Sequence, residues 1–252
     1  MTVKKILSNI GILPLGLGIG FSTSHAQTET YFAPVVYLVD SPTAGFFPSG
    51  TFSLGLRMEP EGGILGGITV QLTDPFLMGV SYGGSRIIGS GEVDWNPRVE
   101  FEGRARIFQE TLLIPSIALG FTSQGYDGRI GDEGRYRIKS KGFYAVTTKG
   151  FNLLGHLGLH GGVNKTLEGN DKDFSFFFGM DKGLGESFSV VGEYDLAMND
   201  DEKTSEKIGL INLGVRWNYM GTLFFEFDFR NLVEHRGFKE NRVVKIEYME
   251  FF

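Results

Sequence analysis

The ten residues from Val243 to Phe252 alternate with a period of two. One register reads Val244, Ile246, Tyr248, Glu250, Phe252; the other reads Val243, Lys245, Glu247, Met249, Phe251. That period marks a β-strand. Chain ends ordinarily fray, so a strand that persists to a terminal Phe needs a partner along its whole length. Two architectures offer one. The first is a soluble sandwich with this segment at its edge. The second is a membrane barrel, whose last strand must pair with its first so that no unpaired backbone meets lipid. Glu250 is the exception in its register, because a carboxylate facing lipid is tolerated only near the membrane interface.

Alternating segments bounded by turn residues recur upstream. They cover approximately 51–59, 63–72, 76–83, 96–108, 112–123, 137–148, 154–166, 173–182, 187–198, 208–219, 222–233 and 242–251. The total is twelve, and the even number suits a single-chain bacterial barrel. Connections after even-numbered segments are tight (73–74, 109–111, 149–153, 183–186, 220–221). Those after odd-numbered segments are longer and more polar (84–95, 124–136, 167–172, 199–207, 234–241), the turn at 60–62 excepted. Short turns at one end and long loops at the other are the asymmetry of outer-membrane barrels. A soluble sandwich has no reason to sort its loops this way. The expected fold is all-β, a twelve-stranded antiparallel transmembrane barrel of outer-membrane type.

The amino terminus sets the expected compartment. Lys4 and Lys5 precede an apolar, glycine-rich run from 6 to 21, and Ser24 and Ala26 are small residues at the positions a signal peptidase reads. Residues 1–26 are therefore expected to be a secretory signal peptide, 27–49 a periplasmic or lumenal lead-in with a short strand at 35–39, and 50–252 the barrel. Without the signal, 22 basic and 30 acidic side chains remain, a formal charge of −8 that argues against nucleic acid as a partner. Cysteine is absent, which removes disulfides, thiolate metal sites and a Cys nucleophile. No metal and no cofactor is expected.

The faces of the segments sort by polarity. Leu223, Phe225, Phe227 and Phe229 oppose Glu226, Asp228 and Arg230, and Phe101 and Ile107 oppose Glu100, Glu102, Arg104 and Arg106. In a membrane barrel the polar face points inward. The expected lumenal charges are then nine cations (Arg57, Arg98, Arg104, Arg106, Lys139, Lys141, Arg216, Arg230 and Lys245) and eight anions (Glu100, Glu102, Asp181, Glu193, Asp195, Glu226, Asp228 and Glu247). Near-equal numbers suggest pairing across the barrel, not the ring of one sign by which pores discriminate. Twelve strands fall between the eight that side chains can fill and the sixteen that leave a channel. The expectation is a narrow or occluded lumen.

Candidates for chemistry are few. His156 and His160 lie four apart on one strand face, roughly 13–14 Å along the chain, and cannot chelate one metal without an outside ligand. The serines show no nucleophile-elbow context, so no Ser–His–acid set can be assembled. Acidic loops at 170–173 and 199–202 offer oxygen ligands but match no calcium-loop pattern. No enzymatic activity is expected.

Two resemblances follow from particular residues. The tail, with Tyr248 and Phe252 at alternate positions, resembles the carboxyl-terminal assembly signal of bacterial outer-membrane proteins, which implies the outer-membrane barrel assembly machinery and membrane lipid as partners. The second is carried by Ser41, Pro42, Thr43, Ala44 and Gly45, then Glu61-Gly62-Gly63, Val80-Ser81-Tyr82-Gly83-Gly84, Ile87-Ile88-Gly89 and Val93-Asp94-Trp95-Asn96-Pro97. These are similar to the barrel portion of YjbH-type outer-membrane proteins, a family associated with exopolysaccharide export, or to a related set of uncharacterised barrels that share Ser123-Gln124-Gly125, Lys139-Ser140-Lys141-Gly142 and Glu193-Tyr194-Asp195. The resemblance implies an accessory or narrow channel in export of exopolysaccharide or another envelope polymer, with polysaccharide as the partner. The alternatives are a non-conducting structural or surface-interaction barrel and, further off, an interfacial hydrolase.

Overall fold

The computed structural model describes residues 35–170, 172–200, 209–233 and 240–252. The expected signal peptide 1–26 and the first part of the lead-in, 27–34, lie outside the described residues. The described residues form fifteen strands, in order: β1 (Thr51–Glu59), β2 (Gly63–Thr73), β3 (Phe76–Ser85), β4 (Asp94–Trp95), β5 (Glu100–Phe108), β6 (Ser116–Thr122), β7 (Tyr126–Ile130), β8 (Arg135–Ile138), β9 (Gly142–Asn152), β10 (His156–Lys165), β11 (Phe174–Leu184), β12 (Phe188–Asp195), β13 (Leu210–Tyr219), β14 (Leu223–Arg230) and β15 (Asn241–Phe251).

Twelve of them form a closed antiparallel barrel. Each pairs with its neighbour in sequence, the two-residue β4 hangs on β3, and β7–β8 form a separate hairpin. Closure is made by β1 and β15, in register from Thr51 opposite Phe251 to Met58 opposite Val244. Phe252 N–H continues the ladder by donating to the Gly50 carbonyl at 2.9 Å. The strand at the carboxyl terminus is thus ordered because it has partners on both sides, β14 and β1.

The ring strands reproduce the expected segments with three shifted starts, and the ninth and eleventh stop three residues short, at Asp195 and Arg230. The fourth begins at Glu100, not 96, because Trp95 belongs to the short β4 and stacks on Tyr82 at 5.9 Å. The fifth begins at Ser116, so the turn before it spans 109–115. The sixth begins at Gly142, not 137. Gly142 has φ +61°, a left-handed conformation that resets the alternation by one residue. Inward positions on β9 are consequently Tyr144 and Val146, and Lys139 and Lys141 precede the strand. The lead-in carries no strand at 35–39, only a bridge between Tyr37 and Pro42.

Outward positions are apolar around the whole ring. Leu54, Ile68, Met78, Val80, Phe101, Leu119, Phe143, Leu159, Phe176, Phe178, Val215 and Phe227 are all exposed, and Trp217 stacks on Phe188 and Phe225 at 6.2 and 5.4 Å. An apolar band of this extent has no stable place in water. It fits a bilayer, which a tilted strand of about 9–11 residues can cross. One end of the barrel carries the tight turns and the chain's Phe252; the other carries the long connections. We call these the turn end and the loop end.

Candidate functional site

The lumen is filled, and the filling is the lead-in. Residues 35–47 enter from the turn end and form a finger. Thr43 N–H donates to Val36 O at 3.1 Å, and Leu38 N–H donates to Ser41 O at 2.9 Å across the tip. Val35, Val36, Leu38, Val39, Ala44, Phe46 and Phe47 are all buried. In a membrane barrel lipid solvates the outer surface, so an aliphatic and aromatic segment beside it finds a dry interior only in the lumen.

Lower and middle parts of the finger pack on apolar wall positions. Val36, Ala44, Phe46 and Phe47 share a cluster with Leu77, Ala118, Tyr144, Val146, Phe177, Phe224 and Met249, which come from β3, β6, β9, β11, β14 and β15. The wall makes room with glycine. A Cβ on Gly179 would lie 2.3 Å from Leu38 Cδ1, and one on Gly120 would lie 2.3 Å from the Tyr144 ring.

The polar wall residues bind the finger's backbone. Arg104 Nη1 donates to the carbonyls of Val36, Thr43 and Gly45, each at 3.0 Å, while its Nε donates to Tyr144 Oη at 2.9 Å. Arg216 donates to Tyr37 O at 3.0 Å and Lys245 to Val39 O at 2.6 Å. Glu193 accepts the N–H groups of Asp40 and Ser41 at 2.9 and 2.7 Å. Tyr37 Oη donates to Glu102 at 2.5 Å. At the tip, Asp40 pairs with Arg57 at 2.6 Å and with Arg230 at 2.9 Å.

Each residue expected in the lumenal charge network has a definite place. Arg57, Glu100, Arg104, Asp181, Glu193, Asp195, Glu226, Asp228 and Arg230 are buried on inward positions; Glu102, Arg106, Arg216, Lys245 and Glu247 face inward and are half-buried. Arg98 precedes β5, and its side chain is 64% exposed while it pairs with Glu100 at 3.2 Å. Lys139 and Lys141 are buried but lie on the chain between β8 and β9. Lys141 pairs with Asp195, and Lys139 donates to Asn199 O at 2.7 Å. Wall-to-wall pairs join neighbouring strands: Arg216 with Glu226, Lys245 with Glu226 at 2.7 Å and with Asp228 at 2.9 Å. The charges that would otherwise span the lumen meet the finger instead. Tyr248 and Phe252 face outward at the turn end, where Tyr248 Oη donates to Glu250, giving that carboxylate its partner.

The connection 123–141 narrows the loop end. Its hairpin β7–β8 turns toward the lumen: Asp127 N–H donates to Glu59 at 3.1 Å, the Tyr126 ring lies 4.0 Å from the Arg57 guanidinium carbon, and Tyr136 Oη donates to Glu100 at 3.2 Å. Burial, with Glu59 adding to it against Arg230 and Arg137, pushes the Asp127 carboxyl up to about 6. Beside the finger a cavity of about 210 Å³ remains, lined by Tyr37, Arg57, Tyr126, Glu226, Lys245 and Glu247 among others.

The two histidines converge. Gly158 between them has no side chain, and Asp181 on the neighbouring strand reaches both, His156 at 3.0 Å and His160 at 2.8 Å. His160 Nδ1 in turn meets Thr148 Oγ1 at 2.9 Å. Spacing along one strand hid this, because the meeting point lies on the next strand. A hydroxyl, an imidazole and a carboxylate in line have the form of a nucleophilic relay, yet Thr148 Oγ1 already accepts the Ala44 N–H at 2.9 Å. Through Thr148 the set ties the finger to the wall. No cluster of three or more His, Cys, Asp or Glu suited to a metal occurs among the described residues.

No protein-family model matches the sequence, and no curated protein matches it either. Among solved structures the fold is similar to that of a KdgM porin, with a TM-score of 0.51 at 12% identity over 80% of this chain and 99% of the porin. A KdgM porin in complex with disordered oligogalacturonate gives a TM-score of 0.50 at 10% identity with the same coverage. The fold is therefore the twelve-stranded antiparallel barrel of outer-membrane porins. The likeness is one of fold, and the YjbH-type resemblance rests on the sequence motifs alone.

Proposed function

We propose that this chain is a narrow outer-membrane channel for an envelope saccharide polymer, held closed by its own residues 35–47. Its turn end faces the periplasm and its loop end the exterior, which puts Phe252 on the side from which the assembly machinery inserts barrels. The observation that carries the reading is the manner in which the finger is held. Arg104, Arg216 and Lys245 bind its carbonyls, and Arg57 and Arg230 bind its one carboxylate. These are oxygen ligands that an acidic saccharide also presents, so a ligand can replace the finger without stranding the cations. Oligogalacturonate, the ligand in one KdgM porin structure, is a saccharide of that kind. The YjbH-type motifs favour export of such a polymer, with this chain as an accessory.

Planar-bilayer recording of the purified protein tests the reading. The intact chain is expected to give small steps with weak ion selectivity, and a chain lacking 35–47 large, porin-like ones. If the deleted chain folds, as shown by a heat-modifiable band on unboiled gels, and its steps stay small, the channel reading fails. The non-conducting structural barrel then stands. The observation favouring that second reading is the apolar cluster around Phe46 and Phe47, which makes the finger part of the core.

A further inference from the structure

Toward the loop end of the lumen a carboxylate sits in a cage of cations. Asp40 Oδ1 lies 2.6 Å from Arg57 Nη2 and Asp40 Oδ2 lies 2.9 Å from Arg230 Nε. Lys245, on the strand between those that carry Arg57 and Arg230, places its ammonium 2.6 Å from the carbonyl of the preceding residue, Val39. Three consecutive strands of the ring supply the cage. Wall acids satisfy part of it: Glu59 takes Arg57 Nε at 3.0 Å, and Glu226 and Asp228 take Lys245.

Arg230 is the informative member. It is 0% exposed, its Nε is spent on Asp40, and its Nη1 and Nη2 have no hydrogen-bond partner among the described residues. Guanidinium groups hold carboxylates best through two parallel N–H donors. A wholly buried guanidinium that gives Asp40 one N–H and leaves the four N–H groups of its two terminal nitrogens idle is fitted to more oxygen than Asp40 supplies. Asp40 is itself fixed by the tip turn and by Glu193, which binds its N–H at 2.9 Å. It therefore reaches the cage at the angle the backbone allows.

We propose that Arg57, Arg230 and Lys245 form a subsite for the carboxylate of a uronic-acid residue, and that Asp40 is a tethered stand-in which an acidic saccharide entering the lumen displaces. This rests on the channel reading above and gives it a substrate class. A tethered group competes at an effective concentration of roughly millimolar, so one free carboxylate displaces it poorly and several on one chain displace it well. A neutral sugar cannot make the exchange, because losing Asp40 to a hydroxyl leaves buried guanidinium charge uncompensated. The cavity of about 210 Å³, which Arg57 and Lys245 also line, gives the sugar ring a place beside the cage.

The test uses the full chain folded in detergent, with trigalacturonate as the acidic probe and maltotriose as the neutral one. Removing a tethered competitor raises apparent affinity by the inverse of the fraction of sites that stood open in its presence. By calorimetry, Asp40→Asn is expected to bind trigalacturonate about tenfold or more tightly than the parent chain does. Maltotriose binding should not change, and adding Arg57→Gln should abolish the gain. Equal affinity in parent and Asp40→Asn, or an equal gain for maltotriose, overturns the subsite. If Asp40→Asn does not fold, the parent chain decides through a second measurement. The sequence has no cysteine, so Ser41→Cys gives a single thiol at a fully buried position of the tip. Trigalacturonate should speed its maleimide labelling and maltotriose should not; no acceleration overturns the proposal. The bilayer recording is read separately. Large steps in the finger-deleted chain with no dependence of binding on Asp40 sink the subsite alone, whereas small steps sink the channel reading itself.

Discussion

The base and the tip of the finger are held in the same lumen by different forces. At the base Phe46 and Phe47 are packed among Leu77, Ala118, Val146, Phe224 and Met249. At the tip, two residues past Leu38, Asp40 is surrounded by guanidinium groups. Hydrophobic burial is non-directional and indifferent to which ligand is in solution. An ion cage is directional and can exchange one carboxylate for another. A segment anchored apolarly at one end and ionically at the other keeps its base and releases its tip. Closure and release thus need not use the same residues.

The largest expected effect comes from weakening the base. Phe46→Ala removes a buried aromatic and should cost about 3–5 kcal/mol, read as a lower unfolding temperature of the heat-modifiable band. The loss should be the same with or without acidic saccharide. A loss that trigalacturonate reverses would mean that base and tip act as one unit. A smaller effect is expected from replacing Asp40 and its two arginines by apolar residues, Asp40→Leu with Arg57→Met and Arg230→Met, together with Glu59→Gln so that the carboxylate paired with Arg57 is not stranded. Lys245 keeps Glu226 and Asp228, and exchanging buried ions together with their partners for well-packed neutral side chains is often neutral or stabilising by roughly 1–4 kcal/mol. The fourfold variant should therefore hold the finger at least as firmly as the parent and no longer respond to trigalacturonate. A collapse in stability would make the cage structural and erase the contrast with the base.

The smallest effect lies at the loop-end hairpin. Asp127 is held at about 6, above its ordinary value near 3.8. Between those two values the folded state binds more protons than the unfolded one, so stability contributed here falls as pH rises through that window. Hydrogen-exchange protection factors of the amides of Tyr126–Ile130, each referred to the intrinsic exchange rate at the same pH, should accordingly be higher at pH 5 than at pH 7, and Asp127→Asn should remove the difference. Unchanged pH dependence in the variant would assign the effect to another group.

Much of the barrel was legible because period-two alternation assigns every residue of a strand to a face. That is why β1, β10 and β15 fall where the pattern puts them, and why Glu226, Asp228 and Arg230 point inward while Phe225, Phe227 and Phe229 do not. The pattern misleads where the phase slips. Lys139 and Lys141 alternate smoothly into the following strand, and only the positive φ of Gly142 shows that the faces exchange there. The hairpin β7–β8 was hidden for a different reason: its strands have only five and four residues, too few for alternation to stand out from a polar loop. The lead-in was legible as periplasmic or lumenal, with the choice between them left open. Val35, Val36, Leu38, Val39, Phe46 and Phe47 declare themselves apolar, but alternation assigns faces only within a strand, and this segment forms none. The convergence of His156 and His160 on Asp181 escaped because strand spacing describes one strand and the contact is made by two.

Inward glycines such as Gly179 and Gly120 turn the wall into a mould. Where a barrel strand lacks a side chain, its neighbour's bulk enters the gap, and Leu38 enters the one at Gly179. The finger's seat is therefore keyed by shape before any charge is counted. A single methyl group at 179 would press on Leu38 at the tip and, at 2.6 Å, on the Gly192 carbonyl of the next strand, altering the seat while every cation and carboxylate around it stayed in the sequence. In such a barrel the glycines carry information about the occupant, written as the volume that the wall leaves out.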